Sequence, residues 1–314
     1  MSGRPPLALL ALVGSTASGK TEAALALAEA LDAEIVSVDS MLVYRGMDVG
    51  TAKPSLAERA RVPHHLIDVA EPSEAFSVAR YQEAATTAVQ EIRARHHRPL
   101  LVGGSGLYFR AVVDELEFPG TDPNARADLE SEAAALGAAR MHERLMALDP
   151  VAAGRIEPKN VRRTVRALEV PAITGRPFSE FAEAWERYEP RAVRAAGVRM
   201  TREVVLARIR ERVRRMLDAG WLDEVRVLVE QGFGGWLTST QAIGYAEMTR
   251  HLRGEMTRDE AVETTVKRTG NLARRQMAWF RRDPRIRWFD VGGAGAIDAY
   301  EPIRAFLDEM TEGE

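Results

Sequence analysis

The sequence predicts an α/β protein: a parallel sheet carrying a phosphate loop on its first strand, interrupted by a helical insertion and completed by a helical C-terminal part. Three observations carry this reading. An apolar run, LALLALV (7–13), leads into GSTASGKT (14–21), which fits G-x-x-x-x-G-K-[ST] with strand before and helix after. The first hundred residues alternate short apolar runs with helix-like stretches, the pattern of a sheet whose parallel strands are joined by helices. From Arg126 to Glu186 helical spacing continues with no convincing strand.

Element by element, residues 7–13 predict the first buried strand and 20–32 the first helix. EIVSVD (34–39) predicts a second short strand ending on an acid. After the Gly- and Pro-punctuated GMDVGTAKP, HHLIDV predicts a third strand, and Ser77 caps a helix running to about Arg95. PLLVGGSGLY (99–108) repeats the strand-to-glycine-loop pattern and opens another helix. PGTDPNAR is a turn-rich linker into the insertion. GVRM (197–200) returns a strand to the sheet, Thr201 caps a basic helix to Asp218, residues 221–282 are helical, and IRWFD near 288 adds a last strand. The expected division is a P-loop NTPase-like core of 1–117 and 197–314, with an insertion of 118–196.

The chain has 314 residues, 46% of them apolar, enough for a full core in one large or two medium domains. No apolar run approaches the ~20 residues that span a bilayer. The absence of cysteine excludes disulfides and thiolate metal sites, so a cytoplasmic location is the default expectation. The net charge of −3 argues against a nucleic-acid partner, but its distribution argues otherwise. Segments 155–176, 191–215 and 267–287 together carry +18, almost all of it arginine, and the remainder −21. Local charge counts for more than the total within a Debye length, and Arg forks suit phosphates. Solvated helix faces and GC-rich codon usage produce the same count.

The phosphate loop, Gly14, Ser15, Thr16, Ala17, Ser18, Gly19, Lys20 and Thr21, offers backbone N–H groups and a helix N-terminus to an anion. Lys20 adds a positive charge and Thr21 a hydroxyl placed for Mg²⁺. Asp39, at a strand tip, reads as a Mg²⁺ ligand, a base facing the reacting group, or a cap on the following turn. Ser105 sits in a second donor-rich turn, whose glycines also fit an ordinary tight turn. Arg208 and Arg212 share one helix face, as a phosphate clamp requires and as solvated arginines do too. His64 and His65 lack a third ligand nearby, which weakens a metal reading. Trp221, Trp236, Trp279 and Trp288 fit the core better than base stacking. These residues together describe a Mg²⁺-assisted enzyme acting on a phosphorylated small molecule, for which a P-loop small-molecule kinase is the default.

Several stretches, taken jointly, resemble another family, the tRNA dimethylallyltransferases, over nearly the whole chain. GSTASGKT is similar to that family's GPTASGKT, with Ser15 for Pro. EIVSVDSMLVYRGMDVGTAKP (34–54) is similar to a diagnostic stretch in which Leu42 stands where many members carry Gln. LLVGGSGLY matches VGGTGLY with Ser105 for Thr. RRTVRALEV (162–170), QAIGYAEM (241–248) and TGNLARRQMAWFRR (269–282) complete the series, with Gly270 and Leu272 replacing an Arg and a Tyr. The resemblance implies transfer of a dimethylallyl group from dimethylallyl diphosphate to the exocyclic N6 amine of the adenosine 3′ to the anticodon. Loop residues 14–21 would hold the diphosphate, with Mg²⁺ on Thr21. Lys20 and Arg212 would neutralise the leaving group, Asp39 would take the amine proton, and Ser105 would supply the Thr hydroxyl. Asp39, Ser40, Met41, Leu42 and Ser105 would also contact tRNA, Asp39 at the adenine amine. Arg126, Arg162, Arg163, Thr164, Val165 and Arg166, with Gln241, Ala242, Ile243, Gly244, Tyr245 and Ala246, would contact tRNA. The implied partners are a tRNA anticodon stem-loop and the prenyl donor, with no membrane and the chain acting as a monomer.

Overall fold

A computed structural model describes residues 9–114, 116–190 and 193–309. Two compact units divide the chain: Met1–Asp114 with Pro190–Glu314 form the first, and Glu115–Glu189 the second. Relative to the expected division at 117 and 196, the second junction lies earlier, because the returning strand already begins at Arg194.

In the first unit, β1 (Leu10–Gly14), α1 (Lys20–Ala30), β2 (Ala33–Val38), α2 (Leu56–Arg61), β3 (His64–His65), α3 (Val78–Ala94), β4 (Arg98–Gly103) and α4 (Gly106–Val113) precede the insertion. The insertion holds α5 (Pro123–Leu148), α6 (Pro150–Arg155), α7 (Val161–Thr174) and α8 (Phe178–Glu183). The first unit resumes with β5 (Arg194–Arg199), α9 (Arg202–Asp218), α10 (Trp221–Glu230), α11 (Tyr245–Leu252), α12 (Arg258–Phe280), β6 (Ile286–Asp290) and α13 (Tyr300–Asp308).

The six strands form one parallel sheet in the order β3-β2-β4-β1-β5-β6. The inner strands are buried on both faces: every residue of β1 and β2 is buried, Glu34 and Ser37 of β2 included, as expected of parallel strands covered by helices. Leu10, Leu12, Leu27, Leu100 and Ile303 are fully buried in the core beside α1, each such large aliphatic side chain contributing about 2 kcal/mol. Ser77, Thr201 and Thr257 accept backbone N–H groups as the N-caps of α3, α9 and α12.

Departures from the expected elements are local. Leu7 and Ala8, assigned to the first strand, lie outside the described residues. HHLIDV pairs only through His64 and His65, because Leu66 and Asp68 take left-handed conformations (φ 63° and 57°) that turn the chain off the sheet. Asp39 lies one residue beyond β2 rather than on it. The last helix, α13, has no counterpart in the sequence reading.

The insertion has its own core, in which Leu129, Met141, Leu145, Val165 and Leu168 meet. Its long helix opens with Asp122 as cap and Pro123 at the first turn, and is broken at Gly137. Among the described residues, no helix is long and apolar enough to cross a membrane.

Candidate active site

Within the first unit, the ends of β1, β2 and β4 open into a cavity of about 670 Å³, the crevice where open α/β sheets place ligands. Thr16 to Thr21 form one wall, Asp39 and Leu42 another, and residues of the 48–59 loop a third. Arg208, Arg212 and Arg215 enter from α9, and Gln276 from α12.

The phosphate loop is braced by side chains from α9 and α12 and by the segment after β6. Arg208 Nε donates to the Ala17 carbonyl (2.7 Å), and the Ala296 N–H to that of Ser18 (2.9 Å). Gln276 Oε1 accepts from the Thr16 N–H at 2.8 Å, tying α12 to the loop. Gly19 caps α1 with φ 77°, and a Cβ there would crowd the Ala296 nitrogen and the Arg208 guanidinium at 3.1 Å. The first turn of α1 thus points unsatisfied N–H groups at the cavity.

Lys20 donates to the Gly14 and Ser15 carbonyls (3.1 and 2.6 Å) and to Ser18 Oγ (3.2 Å), folding its ammonium into the loop itself. Burial, reinforced by the Arg212 charge and only partly opposed by Asp39, pushes its pKa down to about 7. Burial also lowers Arg212, again opposed by Asp39. Arg212 spans the cavity: one terminal nitrogen donates to Thr16 Oγ1 (3.2 Å) and the other to the Thr51 carbonyl (2.9 Å).

Asp39 Oδ1 accepts from the Met41 N–H at 2.9 Å, so the turn-capping reading is present in the structure. That bond occupies one oxygen and orients the carboxylate; Oδ2 has no protein donor among the described residues. Behind Asp39 lie Tyr81 and Tyr108, stacked at 3.8 Å, with the Tyr81 hydroxyl donating to the Ser37 carbonyl (2.9 Å). Burial raises both phenol pKa values and the Asp39 charge adds to the rise, so both tyrosines stay protonated.

The structure brings together Thr16 to Thr21, Asp39, Leu42 and Arg212 from the residues expected to act. Gly14 and Ser15 lie behind the cradle, Ser15 buried. Ser105 caps α4 by accepting the Tyr108 N–H (3.3 Å), and its own N–H donates to the Val38 carbonyl; the cavity wall at this turn is Gly103 and Gly104. Ser40 and Met41 continue the Asp39 turn outside the wall.

Among the residues expected to meet tRNA, Thr164, Val165, Ala242, Gly244 and Tyr245 are buried, which corrects the expectation of direct contact for their side chains. For Thr164 and Val165 the helical period explains this, since α7 turns one face inward. Arg162, Arg163 and Gln241 are exposed, and Ile243 and Ala246 half-buried. Arg126 and Arg166 both pair with the fully buried Glu169 (2.9 and 2.8 Å). Trp221 is core, as expected, whereas Trp236, Trp279 and Trp288 are half-buried. His65 pairs with Glu34, and among the described residues no His, Cys, Asp or Glu cluster could hold a metal ion.

Sequence reasoning missed Gln276, Thr51 and Lys53. Gln276 lies within the quoted C-terminal block, but nothing in its spacing reveals a partner 260 positions away. Lys53 Nζ donates to the Tyr44 carbonyl (2.7 Å), Asp48 (2.5 Å) and Asp68 (2.6 Å), fastening the loop that carries Thr51. Burial opposes ionisation of Asp68, but hydrogen bonds from Lys53 and Arg59 outweigh it and lower its pKa.

Comparison with known proteins fits this geometry. The family model described as IPP transferase matches residues 42–283. A tRNA dimethylallyltransferase of Salinispora arenicola is 50% identical over 298 residues, covering 95% of this chain and 86% of the relative. The crystal structure of a tRNA isopentenylpyrophosphate transferase from Bacillus halodurans is 40% identical, superposes with a TM-score of 0.70, and covers 96% of each chain. A eukaryotic dimethylallyltransferase crystallised in action on tRNA shares the fold, with a TM-score of 0.76 at 23% identity over 93% of this chain and 75% of that one. The phosphate-loop sheet, the insertion and the extent of these matches together show that the chain belongs to the IPP transferase family.

Proposed function

We propose that this chain transfers the dimethylallyl group of dimethylallyl diphosphate to N6 of the adenine 3′ to the anticodon in tRNA and releases diphosphate. One observation carries the reading beyond family membership. A single cavity holds an anion cradle with Lys20 and Arg212, and also a carboxylate, Asp39, with an oxygen to spare. Prenyl transfer needs both halves at once. The C1–O bond of the allylic donor breaks with its electron pair going to diphosphate, and the loop N–H groups, Lys20 and Arg212 neutralise that charge. The N6 lone pair forms the new C–N bond, and the proton it sheds passes to Asp39. Ala24, Ile35, Ile67 and Val102 give the cavity apolar wall for a five-carbon tail.

Mg²⁺ fits through Thr21, whose hydroxyl lies at the first turn of α1 on the cavity wall. Held there, the ion would supply charge neutralisation to the departing diphosphate. The adenine has to leave the anticodon-loop stack to reach the cavity. Exposed Arg162 and Arg163 of the insertion suit the tRNA backbone. With Leu42 in the cavity wall, base recognition at that position is apolar contact rather than an amide hydrogen bond.

The direct test is incubation of unmodified tRNA with dimethylallyl diphosphate and Mg²⁺, followed by mass analysis of the nucleosides. The expected product is an adenosine heavier by one dimethylallyl group. A phosphorylated product with no five-carbon addition overturns the reading in favour of a kinase.

Lys20 makes a second expected result. In the free protein its pKa is about 7, so above neutrality the ammonium is largely deprotonated. Pairing with an organic diphosphate raises that pKa, so binding near pH 8 takes up about one proton per site, and affinity falls as pH rises above 7. Calorimetry with a saturated alkyl diphosphate, repeated in buffers of different ionisation enthalpy, measures the uptake. Lys20→Ala abolishes it; equal uptake in that variant would place the titrating group elsewhere.

A further inference from the structure

Glu224, on α10, lies outside every stretch to which the sequence reading gave a role, and it does not line the cavity. Its carboxylate nevertheless receives three successive backbone N–H groups of the catalytic loop. Oε2 accepts from Asp48 (2.8 Å) and Val49 (2.7 Å), and Oε1 from Gly50 (3.1 Å). Oε1 also accepts the Tyr245 hydroxyl at 2.6 Å. Glu224 forms no ion pair among the described residues, so its charge is held by these four dipoles, the arrangement by which a backbone nest binds an anion.

The loop can approach this closely because residue 50 is glycine: a Cβ there would collide with the rings of Trp221 and Tyr245. Immediately downstream, the Thr51 carbonyl accepts from Arg212, and the other arm of Arg212 reaches Thr16 in the phosphate loop. A continuous set of hydrogen bonds therefore runs from Tyr245 through Glu224 and the 48–51 backbone to Arg212.

We infer that Glu224 is a positioning residue for prenyl transfer: it fixes the 48–51 backbone so that the Thr51 carbonyl holds Arg212 at the diphosphate cradle. The Lys53 side chain fastens the opposite side of the same loop through Tyr44, Asp48 and Asp68, whereas the N–H groups of residues 48–50 go to Glu224. Glu224 accepts all three of those N–H groups, while the Ala52 N–H to the Val49 carbonyl and the Lys53 N–H to the Asp48 carbonyl, both 3.0 Å, close the turn that carries the Thr51 carbonyl. A carboxamide of the same shape cannot replace it. One of its two ends is an NH₂, and since both ends face backbone N–H groups it would set donor against donor in either orientation.

The inference rests on the transfer reaction proposed above, and a double-mutant cycle on the full chain tests it separately. The kcat and both KM values are measured with dimethylallyl diphosphate, Mg²⁺ and an unmodified anticodon stem-loop for the wild type, Glu224→Gln, Arg212→Ala and the double variant. Glu224→Gln is expected to lower kcat roughly 10- to 100-fold with the stem-loop KM unchanged, the usual loss when a supporting partner is removed. Beside Arg212→Ala it is expected to cost less than about 3-fold, because the residue it positions is gone. A loss that multiplies in full with that of Arg212→Ala, or wild-type kcat in Glu224→Gln, overturns the inference. If Glu224→Gln does not fold, the same cycle with Tyr245→Phe decides. That variant removes one donor and leaves the carboxylate, and either no loss of kcat or a fully multiplicative one again overturns the role. An inactive wild type refutes the transfer reaction itself; an active wild type with multiplicative losses refutes only Glu224.

Discussion

Replacing Asp39 by asparagine is expected to lower single-turnover prenyl transfer on the order of 10²-fold or more while the affinity for an anticodon stem-loop stays nearly unchanged. The choice of asparagine follows from the geometry. Oδ1 accepts the Met41 N–H, and an amide oxygen can take that bond over, so the turn after β2 survives while the proton acceptor is lost. Tyr81 and Tyr108 cannot substitute as bases, since burial keeps their phenols protonated. Transfer and stem-loop binding measured on the same preparation separate chemistry from recognition. Transfer within threefold of the wild type would remove Asp39 from the reaction and return it to the role of a turn cap.

Arg212→Ala is expected to reduce kcat/KM for the prenyl donor by about 10²- to 10³-fold, the size typical of a missing donor at a site of developing negative charge. Arg212→Lys is expected to recover little of this. The guanidinium bridges two acceptors, Thr16 Oγ1 at 3.2 Å and the Thr51 carbonyl at 2.9 Å, and a single ammonium cannot hold both directions. Its place on α9 argues the same way. Arg208, one turn earlier on the same face, is committed to the backbone of the phosphate loop through the Ala17 carbonyl. The two arginines that spacing made equivalent therefore have different work, one bracing the cradle and the other entering it. Near wild-type kinetics for Arg212→Lys would show that only net charge matters at this point.

Much of the architecture was legible because its signals are local. The apolar run before GSTASGKT, the caps at Ser77 and Thr201, and the helical spacing of 126–186 each depend on a few neighbouring residues. HHLIDV misled because apolar content alone cannot reveal that Leu66 and Asp68 adopt left-handed backbone conformations. The C-terminal helix after Gly295 was missed for a related reason, being short and preceded by a Gly-rich turn that carries no cap signal. At the site, Lys20, Asp39 and Arg212 could be named from motif and resemblance. Gln276 and Glu224 could not, since each acts on a backbone amide far away in sequence, and a backbone amide leaves no mark in the sequence. Thr164 and Tyr245 show the converse: they lie in segments expected at an RNA surface, yet their side chains point inward.

The position of β1 bears on how the chain is made. It lies between β4 and β5, and β5 begins only at Arg194, after the whole insertion has been synthesised. While the ribosome is still producing residues 115–189, the strand that leads into the phosphate loop has one open edge, and α9, which carries Arg208 and Arg212, has not yet emerged. The nascent N-terminal half can therefore build its first strands and helices but not a finished anion cradle. Competence to bind the donor arises late in synthesis, when the chain has returned to the sheet it began.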